Sequence, residues 1–306
     1  MERIWDVLII GGGPAGYTAA LYAARAGWDT VVLERFSAGG QMTLTGIIEN
    51  YPGFPEGTDG FSLGRQMQAG AEQFGAVTDF SAVTAVEVSG KIKKAATVGG
   101  TFCAKTVIIA TGADPRSLGV AGEAALVGKG VHYCAHCDGG FYRDKTVAVV
   151  GGGNTAAGDA LYLAKLASRV ILIHRRDSLR AELRYRRRIA DTENITFLPE
   201  SVVTGFLSDG GFRGLRVKRT GEGREVTIPC DGVVVSVGRI PATRFLSDSL
   251  PLDAGGYIVA DESTKTACPG VYAAGDVRTK ELRQVVTAVS DGAMAAYHAG
   301  QFLAGY

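Results

Sequence analysis

Short runs of apolar, β-branched residues alternate along this chain with stretches in which alanine and leucine recur at helical spacing. Asp6-Val7-Leu8-Ile9-Ile10 is apolar at consecutive positions, the pattern of a strand covered on both faces in a parallel sheet. It runs into Gly11-Gly12-Gly13-Pro14-Ala15-Gly16. A helical pattern over Tyr17 to Ala26 follows, and Gly27 suits its C-terminal end. A second strand is expected over Thr30 to Leu33, closing at Glu34. The same succession then returns at a constant offset. Strand Thr146 to Val150 leads into Gly151-Gly152-Gly153-Asn154-Thr155-Ala156, then a helical stretch from Ala157 to Leu166, then strand Val170 to Ile173. Gly11 corresponds to Gly151, and Glu34 to His174. A repeated strand–turn–helix–strand unit predicts an α/β chain with two Rossmann-like dinucleotide-binding domains.

Each glycine turn carries a dinucleotide fingerprint: Gly11, Gly13 and Gly16 in the first copy, Gly151, Gly153 and Ala156 in the second. The first glycine allows the tight turn, the second lets the backbone approach a pyrophosphate, and the third small residue lets helix and strand pack closely. The helix N-terminus then offers free N–H groups to the phosphates. The residue closing the second strand selects the ligand. Glu34 suits a ribose with free hydroxyls, as in FAD or NAD, and would repel a 2′-phosphate. In the second copy His174-Arg175-Arg176, with Arg180 further on, replaces the carboxylate. Arginine forks match phosphate oxygens, so this site is expected to take NADPH in preference to NADH. Arg184, Arg186, Arg187 and Arg188 extend the basic run and read as a solvated helix face.

Composition narrows the picture without changing it. The 306 residues suit two domains, 46% of them are hydrophobic, and the net charge of +1 gives no field that would call for nucleic acid. No aromatic residues interleave with the basic run, so binding of nucleic acid is not expected. No stretch approaches the ~18 apolar residues of a membrane span. Met1 to Ile10, with Glu2, Arg3 and Asp6, lacks the apolar stretch of a signal peptide, so a cytoplasmic location is expected.

The five cysteines are too few for a disulfide scaffold. Cys103, Cys230 and Cys268 stand alone and are expected to be buried. Cys134 and Cys137 form a C-x-x-C pair within Val131-His132-Tyr133-Cys134-Ala135-His136-Cys137-Asp138-Gly139. That spacing lets a small disulfide ring open and close, and Asp138 is placed to give or take a proton. A zinc site is the competing reading, since His132 and His136 flank the pair. Structural zinc sites draw ligands from two separated pairs, and no second pair exists here, so no metal is expected. The polar flanks argue against two thiols simply buried in a core.

Together these motifs resemble the low-molecular-weight, bacterial-type thioredoxin reductases, over the full length of the chain. The resemblance rests on Gly11 to Gly16, Gly40-Gln41, Glu49-Asn50-Tyr51-Pro52-Gly53, Ala110-Thr111-Gly112-Ala113, Cys134 to Gly139, Gly151 to Ala156, His174 to Asp177 with Arg180-Ala181, Ala274-Gly275-Asp276-Val277 and Arg283-Gln284. It implies a protein-disulfide reductase fed by NADPH through FAD, with thioredoxin or a thioredoxin-like protein as partner and a homodimeric assembly. FAD would lie on the first fingerprint (Gly11, Gly13, Pro14, Ala15, Gly16), with Glu34 and Arg35 near its ribose. Gly40, Gln41, Asn50, Ala110, Thr111, Gly112, Gly275, Asp276, Arg283 and Gln284 would surround the rest. NADPH would take Gly151, Gly153, Asn154, Thr155, Ala156, His174, Arg175, Arg176 and Arg180. Cys137 would face the flavin, Cys134 would attack the partner disulfide, and Asp138 would be the acid/base.

FAD-type motifs thus flank the NADPH fingerprint and the dithiol. The domains expected are 1–113 and 244–306 for FAD, with 114–243 inserted for NADPH and the C-x-x-C pair. A related reductase fed by another donor such as ferredoxin is the alternative, and the arginines after His174 argue against it. A nucleotide-binding redox or zinc sensor without turnover is the reading from another class, and a colourless preparation would favour it. Three positions depart from the family pattern. His136 stands where Thr or Val is usual, Gly158-Asp159 where two glutamates are common, and Gly140 where the first of two aromatics is expected.

Overall fold

The computed structural model describes residues 3–44, 47–221, 223–246 and 249–305; Met1 and Glu2 lie outside them. The chain forms two compact units. One comprises Met1–Leu44, Tyr51–Asp114 and Ile240–Tyr306, the other Thr45–Asn50 and Pro115–Arg239. Ala113–Pro115 and Arg239–Pro241, where the chain passes from one unit to the other, pair as a two-stranded sheet.

In the first unit, strand Ile4–Ile10 lies between Thr30–Leu33 and Gly100–Ile109, parallel to both, with Val7 opposite Thr30 and Thr106. Val77–Asp79 and Val271–Ala273 extend the parallel part. Lys93–Thr97 and Val83–Glu87 continue it antiparallel. The unbroken apolar run of the first strand has a direct cause: the pleat sends alternate residues into two different cores. Val7 and Ile9 meet Tyr17, Ala19, Ala23 and Ala295, whereas Leu8 and Ile10 meet Leu33, Val107 and Ile258. Helix Pro14–Arg25 begins at Pro14 rather than Tyr17, because the proline's fixed φ fits the first helical position. Its alanine-rich face packs on the C-terminal helix Val285–Ala304 through Ala288, Ala295, Ala296 and Ala299, small side chains that let two backbones approach closely.

The second unit repeats the plan. Thr146–Val150 lies between Arg169–Ile173 and Gly232–Val235, with Ile195–Leu198 and Val131–His132 at the edges, all parallel. Its fingerprint helix is Asn154–Leu163. An antiparallel sheet of Ser201–Ser208, Phe212–Arg219 and Glu225–Pro229 sends Leu215 and Val217 against Val131, Ala148 and Val233. The basic run forms helix Leu183–Ala190, on which Arg184, Arg186, Arg187 and Arg188 are exposed and Ile189 is buried. The solvated face expected there is what the structure has.

Among the described residues no helix is long and apolar enough to cross a membrane. Cys103 and Cys230 are buried as expected; Cys268 is only half-buried, its thiol 3.7 Å from the Ser249 carbonyl. Burial, reinforced by neighbouring Asp231, pushes the Cys230 thiol up to about 12, which makes it inert.

Candidate functional site

The two glycine turns are built alike. Gly11 adopts φ +107°, and a Cβ there would sit 2.5 Å from the Ala110 carbonyl oxygen. Gly151, at φ +154°, would bring a Cβ within 2.4 Å of the Ser236 carbonyl oxygen. No larger residue fits either place. The third fingerprint position differs: a Cβ on Gly16 would lie 1.8 Å from the Gly11 carbonyl oxygen, whereas the second turn accommodates Ala156. Gly13 and Gly153 stand at the N-caps, and no side chain caps either helix.

The residue closing the second strand folds back on its glycine turn in both copies. Buried Glu34 accepts hydrogen bonds from the Gly12 N–H at 2.7 Å and the Phe36 N–H at 3.0 Å. His174 lays its buried ring against Gly152, and its Nε2 has no partner among the described residues. Burial first, then Arg180, Arg176 and Arg175, hold His174 below the ordinary imidazole range. The charge at this corner therefore comes from the three arginines, which are exposed, and not from the histidine. The Arg180 N–H donates to the Gly152 carbonyl at 2.7 Å and fixes that loop over the turn. Asn154 is tied to Glu182, donating to its carboxylate at 2.7 Å and accepting from its N–H at 2.9 Å. Thr155 follows in the first turn of the helix.

Around the first turn the unit gathers most of the residues expected there. The Gly39 N–H donates to Gly12 at 2.8 Å, which brings Gly40 beside Gly13. Gln41 donates to Asp114 at 2.7 Å, and the exposed Arg35 lies 3.7 Å from the same carboxylate. Ala110 continues the sheet by bonding to Ile10, the Thr111 hydroxyl donates to the Ala242 carbonyl at 2.8 Å, and Gly112 accepts from Ala242. Gly275 lies against Ala15, and Asp276 follows it in the turn Gly275–Val277. Gln284 caps helix Val285–Ala304 through a reciprocal box with Thr287, and Arg283 stacks its guanidinium 4.2 Å over the Tyr257 ring. Asn50 is exposed and groups with the second unit.

Sequence reasoning missed the buried ionic cluster behind this loop. Asp291 accepts from Arg278 at 2.8 and 2.9 Å, from Lys280 at 2.8 Å and from the Gly275 N–H at 2.8 Å. Burial alone would raise the Asp291 carboxyl. The bonds from Arg278 and Lys280 outweigh it and hold the group below the usual carboxylate range. The one signal available was an aspartate in the middle of an otherwise small and apolar helix.

Cys134 and Cys137 form a disulfide. Cys134 stands at the N-cap of the short helix Ala135–Asp138, and its sulfur accepts the Cys137 N–H at 3.2 Å. The two cysteines are only partly buried, as the polar flanks suggested, but His132 and Asp138 themselves are both buried, with Nδ1 3.2 Å from Oδ2. They satisfy one another, and the edge of the Tyr142 ring closes over the histidine at 5.6 Å. His136 is half-exposed, stacked on Tyr162 at 4.2 Å, with Nδ1 3.8 Å from Asp159. The Ser236 hydroxyl donates to the other Asp159 oxygen at 2.5 Å. Burial pushes the Asp159 carboxyl up, against the opposing pull of Ser236, His136 and Arg239. The Tyr133 hydroxyl, next to Cys134, donates to buried Glu123 at 2.8 Å.

Comparison with known proteins gives this arrangement a place. The model of the pyridine nucleotide-disulphide oxidoreductases matches residues 5–292. The chain belongs to that family. Within it, the chain groups with the thioredoxin reductases. It is 45% identical over 304 residues to a thioredoxin reductase of Listeria monocytogenes, covering 99% of this chain and 95% of that protein. It is 42% identical over 307 residues to one of Streptomyces coelicolor, at 99% and 95% coverage. The crystal structure of thioredoxin reductase from Streptococcus pyogenes superposes with a TM-score of 0.92 at 39% identity and full coverage of both chains. Members of this family are oxidoreductases that act on a disulfide with a flavin and a pyridine nucleotide. The residues present fit both groups. Each glycine turn opens on a helix whose first N–H groups no side chain caps, and among the described residues nothing lies within 4 Å of where a Cβ on Gly13 or Gly153 would stand, which leaves the backbone there open to a pyrophosphate.

Proposed function

We propose that this chain is an NADPH-dependent thioredoxin reductase that carries FAD. Residues 1–113 and 244–306 hold FAD, and residues 114–243 hold NADPH and the redox pair. Glu34 receives the adenosine ribose of FAD, and Gly11 to Gly16 its pyrophosphate. Arg175, Arg176 and Arg180 receive the 2′-phosphate of NADPH, with Gly151 to Ala156 under its pyrophosphate. FAD supplies a two-electron relay between the nicotinamide and the disulfide. Cys134 attacks the partner disulfide, Cys137 resolves the mixed disulfide, and Asp138 handles the proton. The enzyme works as a cytoplasmic homodimer, and its second unit rotates between presenting NADPH and presenting the dithiol.

One observation carries this reading: the Cys134–Cys137 disulfide shares a compact unit with the second fingerprint, whose strand is followed by His174 and then by Arg175, Arg176 and Arg180, where the first has the carboxylate of Glu34. The test is an anaerobic titration of the purified yellow protein with NADPH and then NADH, following the visible flavin band. Bleaching by NADPH at low excess is expected, with uptake of more than one hydride equivalent per flavin because the dithiol fills as well. A flavin that neither nucleotide bleaches overturns the donor assignment.

A further inference from the structure

The family pattern does not account for His132. It closes the edge strand Val131–His132 just ahead of the dithiol, almost fully buried, with its Nδ1 3.2 Å from the carboxylate that follows the pair. We infer that His132 and Asp138 act as one proton-holding pair, and that His132 is the positioning residue that holds Asp138 in place and shares with it the proton exchanged at the dithiol. The inference rests on the reading of Asp138 as the acid/base of the dithiol, and extends it.

The argument is one of charge. A carboxyl group alone has lost its proton well below neutral pH, and one that must protonate a departing thiolate at neutral pH needs help. Imidazole is the side chain that exchanges a proton in that range. A carboxylate and an imidazole in contact share one proton between them, and the pair titrates as a unit.

The groups facing the pair do not replace this function. Tyr142 lies edge-on to His132, and burial, then the Asp138 charge, push its hydroxyl well above its ordinary range. Cys230 and Asp231 lie beyond Tyr142. His136 is engaged with Asp159 on helix Asn154–Leu163, and Glu49 lies beside Gly140. None of them contacts the Asp138 carboxylate as His132 does.

The exchange balances. The Cys134 thiolate attacks one sulfur of the partner disulfide, and a bond forms between them. The other partner sulfur leaves with the electron pair of the broken bond and takes the proton of the pair. The Cys137 thiol then gives its proton to the pair and attacks Cys134. The second partner sulfur leaves with its electron pair and takes that proton. Two electrons and two protons pass to the partner, the cysteines end as a disulfide, and the pair regains its proton from solvent.

The test uses flavin-loaded enzyme reduced with dithiothreitol and then freed of it, so it depends on no nucleotide. Alkylation of Cys134 and Cys137 by iodoacetamide is followed by mass spectrometry from pH 5.5 to 9.5. Oxidation by oxidised thioredoxin and by 2-hydroxyethyl disulfide is followed over the same range. The native profile should show two inflections, one from the pair and one from the thiol. His132→Asn and His132→Gln should lose the first. Their disulfide exchange should fall about tenfold at pH 8 and less than about twofold at pH 6, while Asp138→Asn is slow throughout. A native profile with a single inflection overturns the inference without any variant. His132 variants slowed equally at every pH overturn it as well, and leave Asp138 as the acid/base. An Asp138→Asn enzyme with native rates removes both readings.

Discussion

His136 shows how a neighbouring side chain changes what a residue does. Between two cysteines a cation stabilises the thiolate of the reduced form, which makes a dithiol more oxidising. The ring here stacks on Tyr162 and points Nδ1 at buried Asp159, so it is held in place beside the pair. Replacing His136 with Thr should make the dithiol more reducing, by about 30 mV for each tenfold change in its equilibrium with dithiothreitol. Equilibration against dithiothreitol of graded oxidation state, with alkylation to count thiols, measures this directly. An unchanged potential would mean that the imidazole carries no charge when the dithiol forms. Residue contacts of this kind were the least legible part of the chain. Cys134, Cys137 and Asp138 stand together in one motif, but the contacts His132–Asp138 and His136–Asp159 depend on which way a short helix turns.

Elements were legible where one local rule decided them. The first strand had to be covered on both faces, because consecutive apolar residues cannot otherwise be buried, and it meets two cores. Both fingerprint helices begin at the turn itself, at Pro14 and Asn154 and not at Tyr17 and Ala157 as the apolar spacing suggested, because glycine at the N-cap leaves the next residue free to enter the helix. The grouping of Thr45–Asn50 with the second unit depends on long-range contact that no local pattern announces. So does the ionic cluster of helix Val285–Ala304, and there a stability prediction follows. Arg278, Lys280 and Asp291 are almost fully buried, so truncating Asp291 strands Lys280 and leaves Arg278 only the exposed Glu262, at 3.1 Å, as an acidic partner. Asp291→Ala should cost about 3–5 kcal/mol and lower the urea midpoint, and flavin should be lost earlier because Gly275 loses its acceptor. The native carboxyl lies below its unfolded value, so its contribution is full above the unfolded pKa and disappears as pH falls through the folded one. The gap between native and variant midpoints should therefore be widest at neutral pH and close in acid. A gap independent of pH would show that packing, and not charge, is what Asp291 supplies.

At the scale of the whole molecule the order of motifs along the chain sets the mechanical problem. The first fingerprint and the Gly275–Val277 turn belong to one compact unit, the second fingerprint and the dithiol to the other. On the proposed assignment two redox partners ride on the second unit and both need the one flavin carried by the first. Where both use the same approach to the flavin, turnover has to move the units relative to each other. The crossings, paired as short strands Ala113–Pro115 and Arg239–Pro241, are the chain available to bend. An engineered crosslink that fixes the units should therefore separate the half-reactions. A locked protein should keep either flavin reduction by NADPH or transfer to Cys134–Cys137, lose the other by about 100-fold or more, and recover both when the crosslink is cleaved. Stopped-flow absorbance of the flavin resolves the two steps, and alkylation of the cysteines reports whether electrons have reached them. A locked enzyme that still turns over thioredoxin at the native rate would mean that one arrangement serves both partners. The second unit would then have to bring nicotinamide and dithiol to the flavin from opposite sides, without any rotation.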